Sequence, residues 1–355
     1  WKTRSTPVPC DILRTVKAEF SPRLRIAITT PSKACRRSRL PSFTFTLTTI
    51  VSPGANSGSS RVICSLLISL SFTLTGFASG FTNWDGEILT LDNGFIQRVI
   101  RWDRKSGSFT TETLLPAGVQ NSFTREDGHE FHLLLNNRSV TGNNRWKVVS
   151  YEVLSGDNGG QGCVLTLGGD EEMNHNLEVS ITYMLYTELP LIRKKMSLRN
   201  TGPVDLRVEA LDVEHLKLSW SDTHCWTMKD YGRYRHLGPY SGDWHDAVVT
   251  VHNVTAKQGI VLGNEAPGVT KRTTTFLDDR PGSVTIGLTH PDQDYPFRKW
   301  LESGEEWEGP YAFIALYQET SDPYLCLNTT VADFVRKHMG IRLAELDKKP
   351  AFVYN

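Results

Sequence analysis

Methionine is missing from the first 172 residues, and the chain opens on Trp1. Acidic residues are nearly missing from the first 80, where only Asp11 and Glu19 stand beside 11 Lys and Arg. No apolar run reaches the roughly 20 residues of a membrane-spanning helix, so an integral helical membrane protein is not expected. Cysteine is sparse, with six in 355 residues, and Cys10, Cys35 and Cys64 fall in the basic N-terminal segment. The other three, Cys163, Cys225 and Cys326, are too far apart for a CxxC metal pattern or a disulfide framework. At most one bridge is open to them, and spacing does not choose it. A sustained helical period is also lacking until the C-terminal end, which argues against helical and α/β folds.

The formal net charge of zero conceals a division. Residues 1–80 sum to +9, and residues 81–355, with 28 basic and 37 acidic side chains, sum to −9. Two unlike segments are joined. Residues 1–60 are rich in Ser, Thr, Pro and Arg and read as a disordered basic tail or a non-native upstream extension. Their basic residues are scattered without interleaved aromatics, which disfavours a nucleic-acid arm. Residues 61–80 differ. Arg61 precedes an apolar run over 62–74, and Thr75, Gly76, Ala78 and Ser79 supply small residues at a cleavage-site spacing, the layout of a secretory signal peptide. The mature chain is then expected to start near residue 79 or 81, to be secreted or periplasmic, and to have no membrane attachment after cleavage. Asn137-Arg138-Ser139, Asn253-Val254-Thr255 and Asn328-Thr329-Thr330 are glycosylation sequons that matter in a glycosylating host.

What the mature part does have is alternation. Leu177, Val179, Ile181, Tyr183 and Leu185 alternate with polar residues. After Glu188-Leu189-Pro190, Ile192, Met196 and Leu198 share one face, with Arg193, Lys195, Ser197 and Arg199 on the other. Asn200-Thr201-Gly202-Pro203 reads as a turn, and Val204, Leu206, Val208 and Ala210 alternate again. The expectation is three consecutive antiparallel strands with one dry face. Residues 87–91 and 94–102 predict a hairpin around Asn93-Gly94, where Asn-Gly is a strong turn signal. Further strands are expected at 108–113, 130–135, 145–153, 162–167, 247–254, 259–263, 269–276, 283–288 and 311–317. Many short strands separated by Gly, Asn and Asp clusters predict an all-β antiparallel sandwich over 81–327. Only 328–349 changes period. Val331, Phe334, Val335 and His338 predict a helix, capped by Asn328 or Thr329 and stopped by Gly340. Residues 350–355 read as the start of a further strand.

One segment is dense in side chains that can do chemistry. Asp222, His224, Cys225, Asp230, His236, Asp243, His245 and Asp246 could bind zinc by type, but their spacing fits no ligand pattern. The segment reads instead as a long loop region between strands. Its aromatics, among them Trp220, Trp226, Tyr231, Tyr234, Tyr240 and Trp244, could stack on sugar faces or pack against another part of the protein. The paired acids Glu305-Glu306 and Asp278-Asp279 would point to opposite faces of a strand, and read as solvated turn residues.

The order of these features resembles the N-terminal β-supersandwich of family 36 glycoside hydrolases, the α-galactosidase-like group. The matching stretches are Pro190 with Ile192-Arg193, Asn200-Thr201-Gly202, Gly259 to Asn264, Leu301 with Gly304-Glu305, Trp307 and Pro310, and Phe334 to His338. Tyr231-Gly232-Arg233 and residues 263–268 depart from the family's usual wording, which leaves galactose specificity open. The resemblance implies a galactose mutarotase-like supersandwich followed by a linker helix, with 350–355 approaching a catalytic (β/α)8 barrel. It also implies a retaining glycosidase whose two carboxylates lie on the barrel, the nucleophile in a Lys-x-Asp context that this chain lacks. The chain alone is therefore expected to be inactive and to need no cofactor. The implied partners are an α-galactoside-like oligosaccharide or glycan, its own barrel, and further copies of the chain in an oligomer, with no nucleic acid. Loops of such a domain approach the barrel's active site, which makes Trp244, His245 and Asp246, with Trp226 and Tyr231, the candidate carbohydrate contacts. Two alternatives remain. One is a stand-alone carbohydrate-binding β-sandwich. The other is a mutarotase-like epimerase, which needs a His acid and a Glu base on one sheet face, such as His215 with Glu305.

Overall fold

The computed structural model describes residues 80–339, except 157–158, 173, 230–231, 243–245 and 278–281. These residues belong to the second of two compact units, Thr73–Asn355. The basic tail, nearly all of the signal-peptide segment, Gly340 and the strand expected at 350–355 lie outside the described residues.

The chain begins with an antiparallel meander, β1 (Thr82–Trp84), β2 (Ile88–Asp92), β3 (Ile96–Trp102) and β4 (Phe109–Pro116), which forms a four-stranded sheet. The Asn-Gly turn forms as expected: Gly94 takes φ +82°, and the Asn93 side chain accepts from Phe95 and Ile96 N–H at 3.0 Å. Next come β5 (Glu130–Leu135) and β6 (Arg138–Thr141), then β7 (Trp146–Ser155), β8 (Gly160–Gly169), β9 (Leu177–Tyr186), β10 (Leu191–Asn200) and β11 (Leu206–Lys217). The segment 219–246 contributes β12 (Thr223–Lys229), β13 (Gly232–His236) and β14 (Tyr240–Gly242). After it run β15 (Val248–Asn253), β16 (Gln258–Asn264), β17 (Lys271–Phe276), β18 (Ser283–Leu288), β19 (Lys299–Leu301), β20 (Glu306–Glu308) and β21 (Ala312–Tyr317). A π-helical turn, Leu327–Val331, leads into α1 (Ala332–His338). No helix among the described residues is long and apolar enough to cross a membrane.

Two large antiparallel sheets result. One has ten strands, in the order β13-β12-β15-β16-β21-β10-β9-β8-β7 with β20 also on β10. The other has seven, in the order β14-β17-β18-β11-β5-β6 with β19 also on β11. Their inner faces share one apolar core. Leu165, Ile181, Leu185, Met196 and Leu198 come from the first sheet, and Phe131, Leu133, Val208, Leu211 and Val213 from the second. A smaller apolar cluster lies on the outer face of the ten-stranded sheet, where Tyr186, Phe313 and Tyr317 meet Val331 and Phe334. The terminal helix is thus packed onto a sheet. Phe334 is fully buried there, worth about 1.5–3 kcal/mol. No side chain caps either helical segment.

Two expectations are corrected. β9 and β10 pair as predicted, from Leu177↔Asn200 to Leu185↔Ile192, but β11 pairs β5, β18 and β19 in the other sheet. Both edges of β10 are taken, one by β9 and the other by β20 and β21. The link after β10 turns the chain into the other layer, with Asn200 Nδ2 donating to the carbonyls of Val204 (2.8 Å) and Leu301 (3.0 Å). The loop read over 219–246 is in fact strand-rich. β12 alternates Thr223, Cys225 and Thr227 inward with His224 and Trp226 outward, a two-residue period carried by polar residues. Cys163, Cys225 and Cys326 are all buried and free, and burial pushes each thiol up to about 12. Of the sequons, Asn253 is buried, and its amide donates to Ser221 O (2.9 Å) and accepts from Ala256 N (2.7 Å).

Candidate functional site

Strand register builds the site. On the seven-stranded sheet, His132 of β5 pairs with Asp212 of β11, Asp212 with Gly287 of β18, and Gly287 with Arg272 of β17. Paired residues point to the same face, so one row carries His132, Asp212 and Arg272 around a position without a side chain. A Cβ on Gly287 would lie 1.9 Å from the Leu211 carbonyl, so only glycine fits. Across that gap Arg272 Nη1 reaches Asp212 Oδ1 at 3.1 Å. His290, just past β18, folds over the same gap and puts Nε2 3.2 Å from Asp212 Oδ1 and 3.2 Å from Arg272 Nη1. His132 Nδ1 lies 3.2 Å from Asp212 Oδ2, and His132 Nε2 lies 3.0 Å from Ser139 Oγ. The two imidazoles stack at 5.6 Å.

The electrostatics follow from burial. Asp212 is 2% exposed, while His132 and His290 are each 17% exposed. Burial alone would raise the Asp212 carboxyl. The His132 and His290 hydrogen bonds and the Arg272 charge outweigh it and hold that carboxyl well below the usual range. The next row adds His215 of β11, with His129 packed edge-on against it at 4.7 Å. Burial pushes His215 down to about 4, so it stays neutral at physiological pH.

A second cluster lies inside the sandwich. Arg98 of β3 donates to both oxygens of Glu214 (2.7 and 2.9 Å), to Glu130 Oε1 (2.7 Å) and to Thr111 Oγ1 (3.0 Å). Lys194 of β10 bonds Glu130 Oε1 (2.8 Å) and Glu214 Oε2 (3.4 Å). Tyr183 of β9 donates to Glu130 Oε1 at 2.7 Å. All three sheets meet here, and the four charged side chains are 0–1% exposed. The two glutamates face inward because the strands are irregular. Glu130 takes φ +60°, and register shifts in β11 between Asp212 and Glu214 put Asp212 outside and Glu214 inside. Burial raises the Glu130 carboxyl, and Arg98 and Lys194 overcome this and hold it far below its ordinary value.

Of the five residues expected as carbohydrate contacts, only Trp226 and Asp246 are among the described residues. Tyr231, Trp244 and His245 lie outside them. Trp226 packs on Tyr324 (6.0 Å, edge-on) beneath the Arg235 guanidinium (5.6 Å), on the ten-stranded sheet. Asp246 is 2% exposed and accepts from Tyr240, which belongs to a strand of the other sheet. His215 and Glu305 do not converge. Glu305 pairs with Lys299 at 2.6 Å, and β19 meets β11 at Leu206–Val208, roughly 25–30 Å along the strand from His215. The zinc reading of 222–246 fails for its described members. Cys225 points into the core, His224 meets Arg235 (2.8 Å), and His236 meets Thr227 (2.9 Å). The sequence reading overlooked His132, Asp212, Arg272 and His290, and all four of the buried ionic residues. One signal was available: Lys194 interrupts the apolar face of Ile192, Met196 and Leu198, and Arg98 sits between Ile96 and Ile100.

No known protein-family pattern matches the chain, and no curated protein matches it in sequence. Solved structures do match. An α-galactosidase from Lactobacillus brevis is similar over 73% of this chain and 42% of its own, with TM-score 0.55 and 14% identity. The galactosidase domain of an α-galactosidase-sucrose kinase matches over 67% and 42%, with TM-score 0.54 and 13% identity. A family 36 α-galactosidase from Geobacillus stearothermophilus matches over 67% and 41%, with TM-score 0.52 and 13% identity. The chain thus spans about two fifths of the length of these proteins. At such identities the likeness is one of fold: the described residues have the antiparallel β-sandwich architecture found in part of the family 36 α-galactosidases.

Proposed function

We propose that this chain forms the non-catalytic supporting β-sandwich of an exported retaining glycoside hydrolase of the α-galactosidase-like group. The observation that carries this reading is the state of the carboxylates. A retaining glycosidase needs two carboxyl groups about 5 Å apart facing the sugar. Glu130 and Glu214 are brought together by shared bonds to Arg98 and Lys194, but both are sealed between the sheets at 0–1% exposure. A fold match confined to two fifths of each neighbour is what a supporting domain gives. Variants of another family 36 α-galactosidase from Geobacillus stearothermophilus with a similar fold were crystallised with raffinose and with stachyose, which supports a carbohydrate as the substrate class of the whole enzyme. Export rests on the segment 61–80 alone.

The test is an assay of the full chain on α-galactosides, together with the coding sequence beyond Asn355. The expected result is no turnover above background, and a continuation of alternating strands and helices with a Lys-x-Asp strand end. Turnover by the chain alone, or a stop codon directly after Asn355, would overturn the proposal. The second outcome would favour a free-standing binding module. A sugar epimerase is the second reading, because two imidazoles flank a carboxylate on one sheet face. Asp212 is a poor base in that role, held ionised and tied to Arg272.

A further inference from the structure

We propose that His132, Asp212 and His290 form a binding site for a divalent cation of the zinc class. The proposal is independent of any glycosidase role. The three ligand atoms, one from each residue, lie within 4.8 Å of one another. A tetrahedral zinc with bonds of about 2.0–2.1 Å spaces its ligand atoms by about 3.3 Å. His132 Nδ1 lies 3.2 Å from Asp212 Oδ2 and His290 Nε2 lies 3.2 Å from Oδ1, so the two imidazoles meet opposite oxygens of one carboxylate. The remaining adjustment is within reach of side-chain rotation, on a sheet whose register fixes the backbone.

The hydrogen bonds argue in the same direction. His290 Nε2 lies 3.2 Å from Arg272 Nη1, which only donates, and 3.2 Å from Asp212 Oδ1, which only accepts, and one ring nitrogen cannot serve both. His132 Nδ1 donates to Asp212 Oδ2 at 3.2 Å, and the Ser139 hydroxyl serves Nε2 at 3.0 Å, so an ion that takes Nδ1 displaces one proton. Two imidazoles and one carboxylate therefore converge. Arg272 neutralises them thinly. Its Nη1 is shared between Asp212 (3.1 Å), His290 (3.2 Å) and Thr285 (3.4 Å), and its buried Nε has no partner. A divalent ion takes over the first two acceptors and leaves Arg272 to Thr285. Two imidazoles with one carboxylate select zinc and its neighbours over calcium or magnesium, which prefer all-oxygen sites. The partly exposed side of the imidazoles leaves a fourth position for water.

The full chain, stripped of metal with a chelator, is titrated with zinc, cobalt(II) and magnesium by calorimetry. The expected result is one zinc per chain in the micromolar range or tighter, visible cobalt bands of a tetrahedral site, and no magnesium binding. His132→Ala and His290→Ala each weaken zinc by at least the roughly 10–100-fold that losing a ligand's supporting partner costs, and Arg272→Gln tightens it by removing the competing cation. Circular dichroism verifies the strands of each variant. If an alanine variant does not fold, His290→Asn retains a hydrogen-bonding side chain and gives the same reading. The proposal is overturned by absent stoichiometric binding, by binding that survives both histidine substitutions, or by an Arg272→Gln chain that binds no more tightly.

Discussion

Arg98, Glu130, Lys194 and Glu214 lie between the sheets at 0–1% exposure, while Asp212, Arg272, His132 and His290 lie on the outer face of one sheet at 2–17%. Both groups surround buried carboxylates with positive or polar partners. The inner group uses two permanent cations against two anions, with Tyr183 and Thr111 filling the remaining acceptors. The outer group uses one guanidinium and two imidazoles, whose ring nitrogens can each donate or accept. An inner network closed on all sides can only hold the three sheets in register. The imidazoles of the outer cluster are each 17% exposed and so reach solvent. Chemistry and fixation are thus placed on opposite faces of the same strands, β5 and β11.

The comparison is tested most severely by removing the inner cation. Arg98→Met keeps the volume and leaves Glu130 and Glu214 with Lys194 alone. Breaking a buried ion network at one partner costs about 3–5 kcal/mol, because the surviving charge stays desolvated. Urea denaturation should show a loss in that range. The corresponding outer change, Arg272→Met, should cost distinctly less, because His132 and His290 still meet Asp212 and water can reach them. Equal losses would erase the distinction between the two clusters.

What could be read from residues follows the same division. β5 and β18 were legible to the residue, because apolar side chains carry the two-residue period in Glu130–Leu135 and Ser283–Leu288. β12 was not, because Thr223, Cys225 and Thr227 carry the period without large apolar groups. The move of β11 into the other sheet was invisible, since periodicity specifies a strand and not its partner. The inner network was half legible. Arg98 and Lys194 interrupt apolar faces, but Glu214 turns inward only through a bulge that no pattern announces. The outer site was illegible for a simpler reason. His132 and Asp212 are 80 residues apart and meet only through register. Of the expected aromatic contacts, Trp226 packs on Tyr324 in a strand-rich surface, and Tyr231 and Trp244 lie outside the described residues.

The next largest effect belongs to pH. His215 is pushed by burial from 6.5 down to about 4, so the folded chain resists its protonation and the unfolded chain does not. Its neutral form contributes full stability above pH 6.5. Below that the unfolded state gains a proton first, and stability falls by about 1.4 kcal/mol per pH unit until about pH 4, roughly 3 kcal/mol in all. His129 is lowered in the same direction, by burial and then by Lys217, and adds to the slope. Urea midpoints between pH 7 and pH 4 should drop for the natural chain and drop less for His215→Phe. An unchanged slope in the variant would place the acid sensitivity elsewhere and remove His215 from the adjustable side of the comparison.

The smallest effect is the most diagnostic. Ser139 is exposed, and its hydroxyl touches His132 Nε2 at 3.0 Å. Losing one exposed hydrogen bond costs about 0.5–1 kcal/mol at most, so Ser139→Ala should barely move the urea midpoint. Its consequence is for the ring. The Asp212 carboxylate only accepts, so the His132 proton sits on Nδ1 towards Oδ2 at 3.2 Å, and the Ser139 hydroxyl donates to Nε2. Without Ser139, Nε2 loses its donor while Nδ1–H keeps Asp212. The nitrogen-15 shift of His132 Nε2 should then move while that of Nδ1 stays, at unchanged stability. A similar substitution at the inner cluster, Thr111→Ala, has no ring nitrogen to release. It should register only as lost stability, because the Glu130 carboxylate it serves is fully buried. If Ser139→Ala lowers stability as much as Thr111→Ala and leaves the ring nitrogens unchanged, the outer cluster is as fixed as the inner one, and its imidazoles are not free to take a ligand.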